Sequence, residues 1–181
     1  DSAATYFGLS LLPPDERAVV THFHDDAQNG GDLWRIDLES GARARLTSDP
    51  QHDNSPVVSP DGASVAWSSN RNGSFQIFRK PSSGAGADEP WVALDVSVGP
   101  THWSTHWLVF TAQDLQRKDD IWVAPGAERE NARPYLQTEF VERMGRLSPD
   151  ERWMAYASDE TTRSEIYIRP FVPPGAAGSA P

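Results

Sequence analysis

The sequence predicts an all-β fold in which one four-stranded antiparallel unit recurs about four times, and two independent spacings predict it. The apolar triplets "DLW", "QIF", "DIW" and "EIY" begin at residues 32, 76, 120 and 165, in steps of 44, 44 and 45. The runs "AVVTHFH", "SVAWSSN", "WLVFTAQ" and "WMAYASD" begin at 18, 64, 107 and 153, in steps of 46, 43 and 46. A fixed period of this size marks blades or solenoid units. The segments are short, rich in Val, Ile, Trp, Tyr and Phe, and bounded by Gly, Pro, Asn, Asp and Ser, which is strand-and-turn chemistry. Four antiparallel strands per period is the pattern of a β-propeller blade.

The second copy shows each element. An inner strand "SPVVS" (55–59) leads through the turn "PDGA" into "SVAWSSN" (64–70). The loop "RNGS" precedes "FQIFRKP" (75–81), and the link "SSGAGADE" precedes an outer strand "PWVALDV" (90–96). In the turn, Pro60 fixes φ, Asp61 accepts from backbone N–H groups and Gly62 tolerates a positive φ. Glu16 and Glu151 replace that glycine in copies one and four, so those turns either avoid positive φ or carry strain. Copy three reads "STHWLVF" (104–110), two residues shorter and without Pro-Asp, which predicts a tighter hairpin.

The expected blades span about 5–48, 55–96, 101–139 and 144–171, followed by a Pro/Gly/Ala-rich tail at 172–181. The fourth blade has no outer strand. Three arrangements follow: part of a larger propeller, two copies completing one ring as a homodimer, or four blades closing alone.

Composition narrows the function classes. The chain has 181 residues, no cysteine, and 16 basic against 26 acidic side chains, a net charge of −10. Without cysteine there are no disulfides, thiol nucleophiles or thiolate metal sites. A strongly negative field repels phosphate backbones, so nucleic acid is excluded as an expected partner. No apolar run of eighteen residues is present, so membrane insertion by a helix is not expected.

The segments "SPVVSPDGASVAWSSNRNGSFQIFRKP" and "GRLSPDERWMAYASDETTRSEIYIRPF" resemble the Ser-Pro-Asp-Gly repeats of TolB-like β-propellers, and the likeness extends over about residues 5–171. "YIRPF" (167–171) is similar to a segment that recurs in bacterial multi-domain and kinase-fused members of that group. The resemblance implies a periplasmic or otherwise extracytoplasmic bacterial protein. Its implied roles are protein docking, a scaffold beside a kinase, or the gating propeller of a prolyl-oligopeptidase-type enzyme. The sequence itself contains no G-x-S-x-G nucleophile elbow and no kinase signature.

Several residues are candidates for chemistry. Asp53 and Asn54, in the link "DPQHDNSP" (49–56), lie where propeller links overhang the central channel, and they offer oxygens of the kind calcium takes. Their counterparts are Val98 and Gly99, then Glu142 and Arg143. His102, one residue before Trp103 on the inner strand, can join Glu142 at the same channel mouth, with a purely structural role as the competing reading. His22 and His24 share one face of a strand by alternation and, with Asp53, are the candidate metal ligands. Polar residues at that strand exit also serve to satisfy loop backbone. The seven tryptophans fall mostly at repeat positions, which predicts packing.

The expected function is that of a non-enzymatic binding or scaffold module. It would hold a protein or small ligand at the channel mouth, through Asp53, Asn54, His102 and Glu142, or at the blade rim. No cofactor is expected beyond calcium. The alternative is a propeller hydrolase of esterase or lactonase type, with calcium as its ion, or the gating propeller named above.

Overall fold

The computed structural model describes residues 5–24, 31–114, 118–126 and 131–175, with the backbone alone described for residues 5–7, His22 and His24. The chain divides into two compact units, Asp1–Asp95 and Val96–Pro181. Among the described residues no helix is long and apolar enough to cross a membrane.

The first unit holds two antiparallel sheets. Blade 1 is ordered β1 (Thr5–Leu11), β2 (Ala18–His24), β3 (Gly31–Asp37), β4 (Arg43–Arg45). Blade 2 is ordered β5 (Asp53–Val58), β6 (Ser64–Asn72), β7 (Ser74–Pro81), β8 (Glu89–Val92). In the second unit, blade 3 comprises β9 (Ser97–Trp103), β10 (Trp107–Gln113), β11 (Asp119–Pro125) and β12 (Arg133–Leu136). Blade 4 has three strands, β13 (Glu142–Leu147), β14 (Trp153–Ser158) and β15 (Glu165–Pro170). These are the four meandering β-propeller blades expected, the last without an outer strand among the described residues.

Alternation along each strand decides what packs where. In β6, Val65 and Trp67 turn towards blade 1 and join Leu12, Val20, Leu33 and Leu46 in a buried cluster completed by Val58 and Phe78. The second unit repeats the arrangement: Val109, Ile121 and Val123 of blade 3 meet Leu147, Met154 and Tyr156 of blade 4. Each third-strand aromatic lies against an aromatic of its own blade: Trp34 on Phe23, Phe78 on Trp67, Trp122 on Phe110 and Tyr167 on Tyr156. The repeated aromatics are thus packing residues.

Inner strands begin earlier than the turn motif alone suggests, at Asp53, Ser97 and Glu142. The reason is a bulge in each, which throws the upstream residues out of alternating phase. The register slips at Gly8, between Asn54 and Val57, near Thr101, and between Arg143 and Arg146. Outer strands are shorter than expected, with β4, β8 and β12 spanning only three or four residues.

The Ser-Pro-Asp turn works as a relay. Ser59 Oγ donates to Asp61 Oδ1 and accepts the Ser64 N–H at 2.9 Å, while Asp61 Oδ1 accepts the Ala63 N–H, also at 2.9 Å. Ser148 and Asp150 repeat this with Trp153 and Arg152. The Ser148 hydroxyl, with Arg152, holds the exposed Asp150 carboxyl down to about 2. Glu16 and Glu151 do not avoid the left-handed region: their φ values are 52° and 54°, beside 72° at Gly62. In blade 1 the turn accommodates one extra residue, with Glu16 N–H reaching Leu12 O, whereas Glu151 N–H reaches Ser148 O as Gly62 N–H reaches Ser59 O. Copy three closes through Ser104 and Trp107, the tighter hairpin its shorter sequence predicted.

Candidate functional site

The residues singled out at the starts and ends of the inner strands divide between the two units: Asp53 and Asn54 lie in the first, His102 and Glu142 in the second.

In the first unit, Asp53 opens β5 and is fully buried. Opposite it, β6 runs past its bulge to Arg71, whose guanidinium meets both Asp53 oxygens at 3.2 and 3.3 Å. The same guanidinium donates to Asp88 at 2.8 Å, lies 3.7 Å from Asp49, and sits 4.4 Å from the Phe78 ring centroid. Lys80 completes the network, 2.9 Å from Asp88 and donating to Leu46 O at 2.8 Å. Burial works against the Arg71 charge, but the Asp88 and Asp53 carboxylates outweigh it and keep the group firmly protonated. Asp53 is therefore neutralised by a cation of the protein's own. Asn54, half-buried beside it, is not drawn into that network by any of these contacts.

In the second unit, Glu142 stands where Asp53 stands in blade 2, but Glu160 takes the place of Arg71. Glu142 is buried; its Oε1 accepts from Thr138 Oγ1, and its Oε2 is buried without a hydrogen-bond partner. Burial pushes its carboxyl up, Asp120 and Asp159 add repulsion, and the Thr138 bonds oppose both. Asp120 accepts from Gln137 Nε2 at 2.7 Å and Asp159 accepts the Val141 N–H at 2.8 Å. His102 is elsewhere. It lies near the far end of its strand, where Nδ1 accepts the Leu147 N–H at 3.1 Å. Leu147 stands five residues along β13 from Glu142, roughly 15 Å of backbone. His102 and Glu142 are thus held at opposite ends of neighbouring inner strands. Thr101 is structural as well, donating to Gly145 O at 2.8 Å.

The His22 and His24 side chains lie outside the described residues. Among those described, no group of three or more His, Asp or Glu side chains is arranged to hold a metal ion. One cleft was not anticipated from the sequence. It is about 210 Å³, lined by Trp107, Val123, Pro125, Asn131, Arg133 and Pro174. That is below the usual size of a small-molecule site. Its signal, a tail proline returning to blade 3, is carried by no motif.

Comparison with known proteins agrees with this architecture. No protein-family model matches the chain. A Streptomyces coelicolor protein, Tricorn protease homolog 1, is 33% identical over 76 residues, 42% of this chain and 6% of its own length. Among solved structures, TolB from Acinetobacter baumannii superposes with a TM-score of 0.74 at 18% identity, over 90% of this chain and 40% of that one. A TolB from Agrobacterium tumefaciens gives 0.65 at 20% identity, over 94% and 59%. An oligogalacturonate lyase in complex with manganese gives 0.68 at 12%, over 94% and 49%. The chain spans less than two thirds of each. The strand order, the Ser-Pro-Asp relay and these superpositions together identify the fold as that of a TolB-like β-propeller.

Proposed function

We propose that the chain is a binding or scaffold module, not a catalyst, and that it holds a protein or small ligand at its inner-strand ends or blade rim. One observation carries this reading: the described ionisable candidates, Asp53, His102 and Glu142, are engaged within the fold. The His102 lone pair, which a general base needs free, accepts a backbone N–H of the next inner strand. Asp53 is neutralised by Arg71, and Glu142 is buried against Thr138. Asn54 remains as the polar group best able to meet a ligand in the first unit. The TolB likeness supports an extracytoplasmic location and a docking role for this module. Calcium, if it contributes, would act at Asp53 only by displacing Arg71.

The test is a thermal-shift and calorimetric panel on the purified chain, using peptides, oligogalacturonides and calcium or manganese. Binding weakened by Asn54→Ala with folding intact is the expected result. Reproducible ester or lactone turnover lost in His102→Ala would overturn the reading.

A second reading is favoured by the Tricorn protease homolog match and by superposition on prolyl endopeptidases at a TM-score of 0.62. Here the chain would be the propeller portion of a peptidase, admitting peptides to a catalytic domain. Retention of unstructured peptides over folded proteins would distinguish it from a docking module.

A further inference from the structure

Two inner-strand starts, one in each unit, are built alike and charged differently. In the sheet register Asp53 of β5 faces Ser69, and Glu142 of β13 faces Ser158. Upstream, Asp49 accepts the Gln51 N–H and Thr138 accepts the Phe140 N–H. Across the strand exit, Asn70 accepts the His52 N–H and Asp159 accepts the Val141 N–H. The correspondence therefore runs residue by residue: Asp49 with Thr138, Asp53 with Glu142, Asn70 with Asp159, and Arg71 with Glu160.

In blade 2 that set of positions encloses a guanidinium. Arg71 reaches both Asp53 oxygens at 3.2 and 3.3 Å and Asp88 at 2.8 Å, with Asp49 at 3.7 Å. In blade 4 the arginine is replaced by Glu160, which is exposed, and the neutral Asn70 by the acidic Asp159. Arg143, next along β13, is paired with Asp119 at 3.4 Å. Glu142 itself is only 1% exposed, and its Oε2 has no hydrogen-bond partner. Asp120 and Asp159 stand close enough for their charges to oppose its ionisation. A buried carboxylate oxygen without a donor is costly, and this one lies where the other unit puts a cation.

We propose that the Glu142 carboxylate, with Asp159 and Asp120 around it, receives the guanidinium of an arginine side chain carried by a peptide or protein partner. The inference rests on the binding-module reading and names the group the second unit holds. Among the described residues no three acidic or histidine side chains converge as metal ligands do, whereas a planar guanidinium forks to carboxylates that stand apart, as Arg71 does. An ammonium is a point charge and spans them less well. Thr138 is exposed, its hydroxyl bonds the other Glu142 oxygen, and it occupies the place from which Asp49 faces Arg71. It is the side chain that yields to the incoming group.

The test is calorimetry and thermal shift on the purified chain at low salt, with acetyl-arginine amide, its lysine analogue and its uncharged citrulline analogue as probes. The wild type is compared with Glu142→Gln, Glu160→Arg and Asn54→Ala, each checked for folding by circular dichroism. Expected is saturable binding of the arginine probe, tighter than that of either analogue and strengthening as pH rises through the folded value of Glu142. Glu142→Gln should weaken it by about tenfold or more. Glu160→Arg supplies the guanidinium from within, so it should melt higher than the wild type and lose the probe. Asn54→Ala, in the other unit, should bind it as the wild type does. Absence of arginine binding overturns the proposal, as does equal binding of the lysine or citrulline analogue, or binding that neither Glu142→Gln nor Glu160→Arg changes. If other ligands still bind through Asn54, only this inference falls; if no ligand binds and turnover is found, the binding-module reading falls with it.

Discussion

The Nδ1 atom of His102 accepts the Leu147 N–H at 3.1 Å, reproducing between blades 3 and 4 the bond that Ser10 Oγ accepts from the Val58 N–H between blades 1 and 2. The two pairs occupy the same positions in their inner strands. A hydroxyl at one and an imidazole at the other perform one task. Burial, with help from Arg146, holds the His102 imidazole below its ordinary value of 6.5, so the neutral ring remains an acceptor.

A pH dependence follows. Unfolded His102 takes up a proton near pH 6.5, whereas the folded ring resists until lower pH. Its contribution is complete above about 6.5 and is lost as pH falls from there through the folded value. His102→Ala should cost about 1–2 kcal/mol at pH 8, by leaving the Leu147 N–H without its acceptor. It should also flatten the decline between pH 6.5 and 5. Urea titrations at several pH values check both; an unchanged slope would remove His102 from this role.

Glu142 has the opposite sign. Its folded carboxyl titrates above the ordinary 4.5, so the folded state holds the extra proton between the two values. Stability is lost as pH rises from about 4.5 through the folded value. Glu142→Gln removes the charge, so the variant should gain on the wild type as pH rises from about 4.5 through the folded value and keep that gain, without further growth, above it. Melting curves over that range provide the comparison.

Arg71→Met should destabilise the first unit by about 3–5 kcal/mol, since it leaves a buried carboxylate unpaired. Adding Asp53→Asn should recover a large part of that loss, and a double-mutant cycle in urea measures the recovery. If the losses simply add, the pair is not coupled.

At Gly62 a Cβ would lie 2.1 Å from Pro13 O, so Gly62→Ala must shift backbone and should cost more than about 2 kcal/mol. Glu16→Gly, at φ 52°, should be neutral or stabilise by up to about 1 kcal/mol through relief of the left-handed conformation. Thermal melts of the two variants should move in opposite directions or, at the least, differ by several degrees.

The repeat was legible because its anchors are local. Ser59, Pro60 and Asp61 close a turn within a few residues, and strand alternation exposes Val65 and Trp67 as one face. Bulges were not legible, since Ser55 and Met144 have no shared chemistry to announce a positive φ. Nor was the Arg71 network. Its partners Asp53 and Asp88 stand 18 and 17 residues away on opposite sides, and Asp88 belongs to a segment whose glycines and serines read as a flexible link. Charge pairing across a folded sheet leaves no spacing rule in the chain. For His102, the useful signal was its repeat position, shared with Ser10, rather than its side-chain type.

In three of the four inner strands the displaced residue is Gly8, Ser55 or Met144, at φ 55°, 52° and 59°. A hydrogen, a hydroxymethyl group and a thioether side chain have settled into one backbone shape. Duplication of an ancestral blade would leave such a trace after the letters themselves had drifted. Kinship among these modules is then better traced by the path of the main chain than by spelling, and a variant library that scrambles the letter at the kink should lose fewer folded members than one that deletes it.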